Sequence, residues 1–212
     1  MKKLFALFLA ICVASTLLAG CVVLSDSDSN ATSNPRNSDS NSNHNTSSSS
    51  ENSNAYGAGM YKVGTDIEAG EYFVYCTSKV SCYMQVSSDS SGKMASIVTN
   101  GNFDTFMFVT VEDGQYLQVT RGEFVKAADA KVPGADSNNV YGAGMYRVGI
   151  DIPAGEYKVT NTSEVRCYVE VRSDSYGSLK GIVSNDNIDT FAYITVTEGQ
   201  YLTVDRGEFS PA

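Results

Sequence analysis

Carboxylates and amides offer the most chemistry in this chain, and histidine offers almost none. The one histidine, His44, sits in a polar segment without pattern. A histidine triad, an imidazole base and a histidine metal ligand are therefore excluded from the patterned part of the chain. Two carboxylates could serve as acid and base on a glycosidic bond. Glu71 with Glu123, or Asp66 with Glu71, are the pairs to consider, but no spacing singles either out. No nucleophile elbow, phosphate-binding glycine loop or zinc motif is present. The chain reads as a non-enzyme that needs no cofactor, with a glycoside hydrolase-like activity as the alternative.

Acids and amides gather in two stretches of each half: Asp89 with Asn100, Asn102 and Asp104, then Asp174 with Asn185, Asp186, Asn187 and Asp189. Hard cations want six to eight oxygens from such residues. The same residues suit tight turns through local hydrogen bonds. No stretch has EF-hand spacing, so turns are the expectation and no metal is assigned.

A third set is aromatic. Tyr83, Phe106, Phe108 and Tyr116, with Tyr168, Phe191, Tyr193 and Tyr201, fall on strand faces opposite the expected core. Such rings could form a platform for glycan, peptide or wall polymer. Alternatively, loops cover them, or the inside–outside assignment is reversed.

Among the cysteines, Cys82 and Cys167 occupy equivalent positions, whereas Cys76 corresponds to Asn161. A hairpin pairing 76 with 82 would make a Cys76–Cys82 disulfide feasible and leave Cys167 as an odd thiol. The alternative is that Cys82 and Cys167 are small core residues. Arg121-Gly122-Glu123-Phe124 recurs as Arg206-Gly207-Glu208-Phe209, which reads as an ion pair or clasp at a domain end.

These equivalences exist because the chain repeats itself. Residues 56–127 and 141–212 align without a gap at an offset of about 85, with about 44 of 72 positions identical, a domain duplication rather than a solenoid unit. Each copy reads as short strands with Gly and Asx turns and no helical period. Strands are expected at 60–63, 71–76, 82–88, 95–99, 105–111 and 115–120, each with its counterpart. Period two puts Tyr72, Val74, Met84 and Val86 on the core side, and likewise Tyr157, Val159, Val169 and Val171. The fold class is all-β: two tandem small β-sandwich, jelly-roll-like domains. Residues 128–140, with Pro133 and Gly134, form a linker.

Ahead of the modules, Lys2 and Lys3 precede an apolar run, Leu4 to Leu18, too short to span a bilayer. That is signal-peptide anatomy for residues 1–20. Residues 21–55 are Ser/Asn-rich and cannot bury enough surface to offset ordering, so they read as a tether. Without residues 1–20, Lys plus Arg falls from 15 to 13 against 24 acids, a net charge of about −11. That sign excludes nucleic acid as a partner.

Leu18-Ala19-Gly20-Cys21 resembles the lipobox of bacterial lipoproteins. The resemblance implies cleavage before Cys21 and acylation of its sulfur, including palmitate, making the membrane a partner through acyl chains. The opening G-M-Y-R-V-G-I-D-I-P-A-G-E-Y and the close G-Q-Y-L resemble a β-rich module of surface lipoproteins in low-GC Gram-positive bacteria. Copy one departs at Glu68, where that pattern has proline. The resemblance implies location and fold, and brings no activity. The expected role is non-catalytic binding or interaction at the cell envelope, with cell-wall polymer, glycan or envelope protein as partner. A structural spacer or an accessory subunit of an envelope complex is the alternative.

Overall fold

A computed structural model describes residues 54–212. The signal peptide, Cys21 and almost all of the tether lie outside the described residues. The first module contains β1 (Gly59–Lys62), β2 (Gly70–Cys76), β3 (Cys82–Ser87), β4 (Ile97–Phe103), β5 (Phe106–Val111), β6 (Tyr116–Thr120) and β7 (Gly122–Lys126). The second repeats them as β8 (Gly144–Arg147), β9 (Gly155–Asn161), β10 (Cys167–Arg172), β11 (Ile182–Ile188), β12 (Phe191–Val196), β13 (Tyr201–Asp205) and β14 (Gly207–Pro211). Each module packs a four-stranded sheet on a three-stranded one. The orders are β1-β6-β3-β4 over β5-β2-β7, and β8-β13-β10-β11 over β12-β9-β14. All named strand pairs are antiparallel.

Period two decides the inner faces. Tyr-Leu-Gln-Val-Thr in β6 and Tyr-Leu-Thr-Val-Asp in β13 bury only Leu and Val, because the single residue between them, and the one on either side, point to the opposite face. Tyr72, Val74, Met84 and Val86 meet Leu117, Val119 and Phe124 in the first core. Tyr157, Val159, Val169 and Val171 do the same in the second.

The expected β2–β3 hairpin does not form. β2 pairs with β5 and β7, and β3 with β4 and β6. Residues 77–81 therefore arch from one sheet to the other. Side-chain period says which way residues face, and Tyr72 and Met84 satisfy it equally well across a sandwich as along a ladder. The structure joins Cys76 to Cys82 by a disulfide across that arch, with Cα atoms 5.5 Å apart.

A second correction concerns β4. Asn100-Gly101-Asn102 has the composition of a turn, yet it pairs with Gln85, Met84 and Tyr83 of β3. The close of each module takes one of the two forms expected for it. Arg121 and Arg206 adopt left-handed φ values of 62° and 61°, turning the chain from β6 to β7 and from β13 to β14. Their guanidinium groups donate to the carbonyls of Ser81 and Arg166. Glu123 instead accepts the Tyr75 hydroxyl at 2.7 Å. The repeated Arg-Gly-Glu is thus a backbone clasp rather than an Arg–Glu ion pair. Its glycine is required by close approach: a Cβ on Gly122 would lie 2.7 Å from the Tyr75 carbonyl oxygen.

The two modules belong to one compact unit. The outer face of the first module's three-stranded sheet packs on the second module's four-stranded sheet, and the second core runs continuously into that contact. β5, Phe-Met-Phe-Val-Thr-Val, is apolar on both faces because both faces are covered. Burying Phe106 and Phe108 stabilises the docking by roughly 2 kcal/mol each.

Candidate functional site

The eight aromatic residues do not form two platforms. Tyr83, Tyr116, Tyr168 and Tyr201 stand on the outer faces of the four-stranded sheets, whereas Phe106, Phe108, Phe191 and Tyr193 stand on the outer faces of the three-stranded sheets. Those faces lie on opposite sides of each sandwich. Phe106 and Phe108 do point away from their own core, but the second module covers them, leaving 6% and 1% exposed. Phe191 and Tyr193 have no such cover and are 53% and 56% exposed. They meet edge to face at 6.1 Å, with the Lys158 ammonium 4.7 Å from the Phe191 centroid. Tyr83 and Tyr116 are half-buried, Tyr83 donating to Gln85 at 2.6 Å.

What docking builds instead is a cleft of about 310 Å³ between the modules. One wall comes from β4, β5 and the turn between them: Thr99, Asn100, Asn102, Asp104, Phe106 and Phe108. The other comes from β8, β10 and β13: Met145, Tyr168, Glu170, Arg172, Thr203 and Asp205. Three of the predicted aromatics, Phe106, Phe108 and Tyr168, thus line one site for a reason the strand pattern does not contain.

The second wall is polar and internally matched. Arg172 donates to Glu170 Oε1 at 2.9 Å and to the carbonyls of Asp174 and Ser178. Glu170 Oε2 accepts the Tyr168 hydroxyl at 2.7 Å, and Asn185 donates to that hydroxyl at 3.3 Å. Burial, and then the bond to Glu170, push the Tyr168 pKa up to about 12, so it stays a neutral donor at physiological pH. The first module holds a neutral version, Asn100–Tyr83–Gln85–Ser87. Against the cleft's one guanidinium stand the carboxylates of Glu170, Asp104 and Asp205. The lining therefore carries an excess of negative charge, with hydroxyl and amide groups between the carboxylates.

Beside the cleft, Glu71 Oε1 accepts the hydroxyls of Ser175 and Tyr201, both at 2.6 Å. The Thr110 amide donates to the Ser175 carbonyl at 3.0 Å, and the two hydroxyl oxygens lie 2.7 Å apart. Arg147, held by Asp151 at 2.9 Å, lies 4.3 Å from the Phe108 centroid and donates to the Ala127 carbonyl. Glu71, Glu123 and Asp66 do not assemble as a carboxylate pair: Glu71 serves the docking, Glu123 binds Tyr75, and Asp66 accepts the Lys62 amide. The calcium-type residues act singly. Asp89 and Asp174 accept local amides, and Asp189 binds Arg166 at 2.8 Å. Among the described residues no group of three or more acids, cysteines or histidines is placed to hold a metal ion.

Sequence reasoning missed Met145, Arg147, Ser175 and Arg172. A signal was present in the repeat itself. Phe73 faces outward in copy one, where copy two has Lys158, so that face is buried in only one copy.

Comparison with curated proteins and with solved structures gave no match. A family model described as the Rv1352-like extracellular domain matches residues 53–122 and again 138–203. Among the described residues no helix is long and apolar enough to cross a membrane. Both halves of the sandwich pair thus carry the same extracellular domain, and the chain belongs to the Rv1352-like extracellular domain family, with its folded part on the outside of the cell.

Proposed function

We propose that this cell-surface protein is held to the membrane by acyl chains on Cys21 and binds a neutral, hydroxyl-rich ligand without catalysis in the cleft between its modules. The anchor rests on Leu-Ala-Gly-Cys after the apolar run; two acyl chains suffice for stable attachment. The observation that carries the binding role is the cleft itself, about 310 Å³ of mixed apolar and amide lining contributed by both modules. That volume accommodates one or two sugar rings, as in small-ligand sites generally. The carboxylates that line it are already engaged, Glu170 by Tyr168 and Arg172, Asp104 by Ser81 and Asp205 by Arg206. That arrangement favours a scaffold over an acid–base pair.

The test is retention on purified cell-wall polymers and a glycan array, comparing wild type with Asn102→Trp, which fills the mouth of the cleft. Retention lost in Asn102→Trp supports the reading. Equal retention, or none by wild type, rules it out. Palmitate incorporation that disappears in Cys21→Ala tests the anchor separately.

A further inference from the structure

The docking inside the chain is head to tail: the three-stranded face of one module meets the four-stranded face of the next. Two complementary faces are therefore left over, one at each end. Copy two keeps the residues with which copy one docks: Glu71 returns as Glu156, Phe106 as Phe191, Phe108 as Tyr193 and Thr110 as Thr195. Copy one keeps the residues that receive them. Gly144, Met145 and Tyr146 return as Gly59, Met60 and Tyr61, Ser175 as Ser90 and Tyr201 as Tyr116, while Arg147 becomes Lys62, with its charge retained. Exposure reports the vacancy. Met145 is 4% exposed where Phe108 covers it, and Met60 is 47% exposed. Phe106 is buried against Gly144 and Tyr146, and Phe191 stands open.

We propose that a second copy of this chain docks its first module on Phe191, Tyr193, Glu156 and Thr195, repeating between chains the contact made within each chain. The occupant is specified because the same contact residues already meet once in the molecule. An interface of this kind is heterologous, so repetition yields a ring or a filament. Two substitutions make it weaker than the internal one. Phe73 and Val125, which extend the apolar face behind Phe106, are replaced by Lys158 and Ser210. The internal contact also has a linker, residues 128–140, which raises effective concentration, whereas the contact between chains has none. The outcome is reversible association that depends on surface density.

The experiment uses the full chain in two differently tagged forms, expressed together. One carries Ser90→Cys and the other Thr195→Cys, the counterparts of the Ser175 and Thr110 hydroxyls that lie 2.7 Å apart. After mild oxidation, a mixed disulfide dimer is expected from this pair, at least tenfold above either single cysteine form alone. Adding Phe191→Lys, at an exposed position, should lower it tenfold or more. A crosslink no stronger than the single-cysteine controls, or one unaffected by Phe191→Lys, overturns the proposal. Sedimentation of the purified full chain gives a second reading. Mass that rises with concentration in wild type and stays constant in Phe191→Lys supports it. A constant monomer mass for wild type up to about 100 µM, the affinity scale of a weak contact, overturns it.

Discussion

Phe106 of the first module and Tyr146 of the second meet edge to face, with ring centroids 5.1 Å apart and planes at 80°. The pair sits where Gly144 brings the backbone of β8 against the Phe106 ring. A Cβ at Gly144 would lie 2.3 Å from Phe106 Cζ, at a φ of 149° that side chains rarely adopt. The contact is thus built around one ring and one missing side chain. Phe106→Ala is expected to destabilise the folded unit by about 3 kcal/mol, the lower end for a buried phenylalanine. Because the ring bridges two otherwise complete cores, calorimetry should show one transition in wild type and two in Phe106→Ala. Gly144→Ala should give the same split.

Tyr201 reports the docking through pH. Its hydroxyl donates to Glu71 across the boundary at 2.6 Å. Burial, and then that bond, raise its pKa from the ordinary 10.0 to about 12. Between those values the unfolded chain has lost this proton and the folded chain has kept it. Stability from this group is therefore complete below pH 10 and falls as pH rises toward 12. Tyr201→Phe should cost about 1 kcal/mol at pH 7, since Glu71 loses one of its two hydroxyl donors. It should also flatten the decline between pH 10 and 12. Urea midpoints measured at both pH values check the two signs together.

The arches between β2 and β3 and between β9 and β10 are closed by different chemistry. In the first, the Cys76–Cys82 disulfide spans a separation of 6 residues. In the second, Asn161 donates to the carbonyls of Val165 and Asp189, both at 3.0 Å, and accepts the Ser163 amide at 2.9 Å. A loop that short gives a chain-entropy gain of about 2 kcal/mol. Cys76→Ser is expected to lower the melting temperature by about 4–8 °C in a unit of this size. Cys76→Asn should recover part of the loss, because the asparagine arch already works in the second module. Thermal scans of the three proteins decide it.

Which way a side chain faces was legible from period two, and the core residues Tyr72, Val74, Met84 and Val86 follow it. Which strand pairs with which was not, because β2 facing β3 across a sandwich buries the same residues as β2 beside β3. The outward direction of Phe106 and Phe108 was equally legible, but their cover was not, since Met145 and Tyr146 reach them only through docking. The cleft lies beyond the reach of pattern for the same reason: Asn102 and Thr203 line it from different modules. Asn100-Gly101-Asn102 misled by composition, as ladder pairing with β3 outweighed its turn preference. The contrasts of Phe73 with Lys158 and of Val125 with Ser210 were where the duplication announced an asymmetric burial.

Cys167 gives a probe of the second core. It is fully buried, and burial, with Asp205 adding to it, raises its thiol pKa. Since the thiolate is the nucleophile, labelling requires opening of the module. Gly207 packs closely on it: a Cβ there would lie 2.5 Å from the Cys167 sulfur. In the folded protein, Cys167 should resist alkylation at pH 8 and react fully in urea. The labelling rate then measures the population of the open form. Because the second core continues into the docking contact, Phe106→Ala should raise that rate on the order of a hundredfold, the equivalent of the lost 3 kcal/mol. A rate unchanged by Phe106→Ala would mean that the second module's stability does not depend on the first.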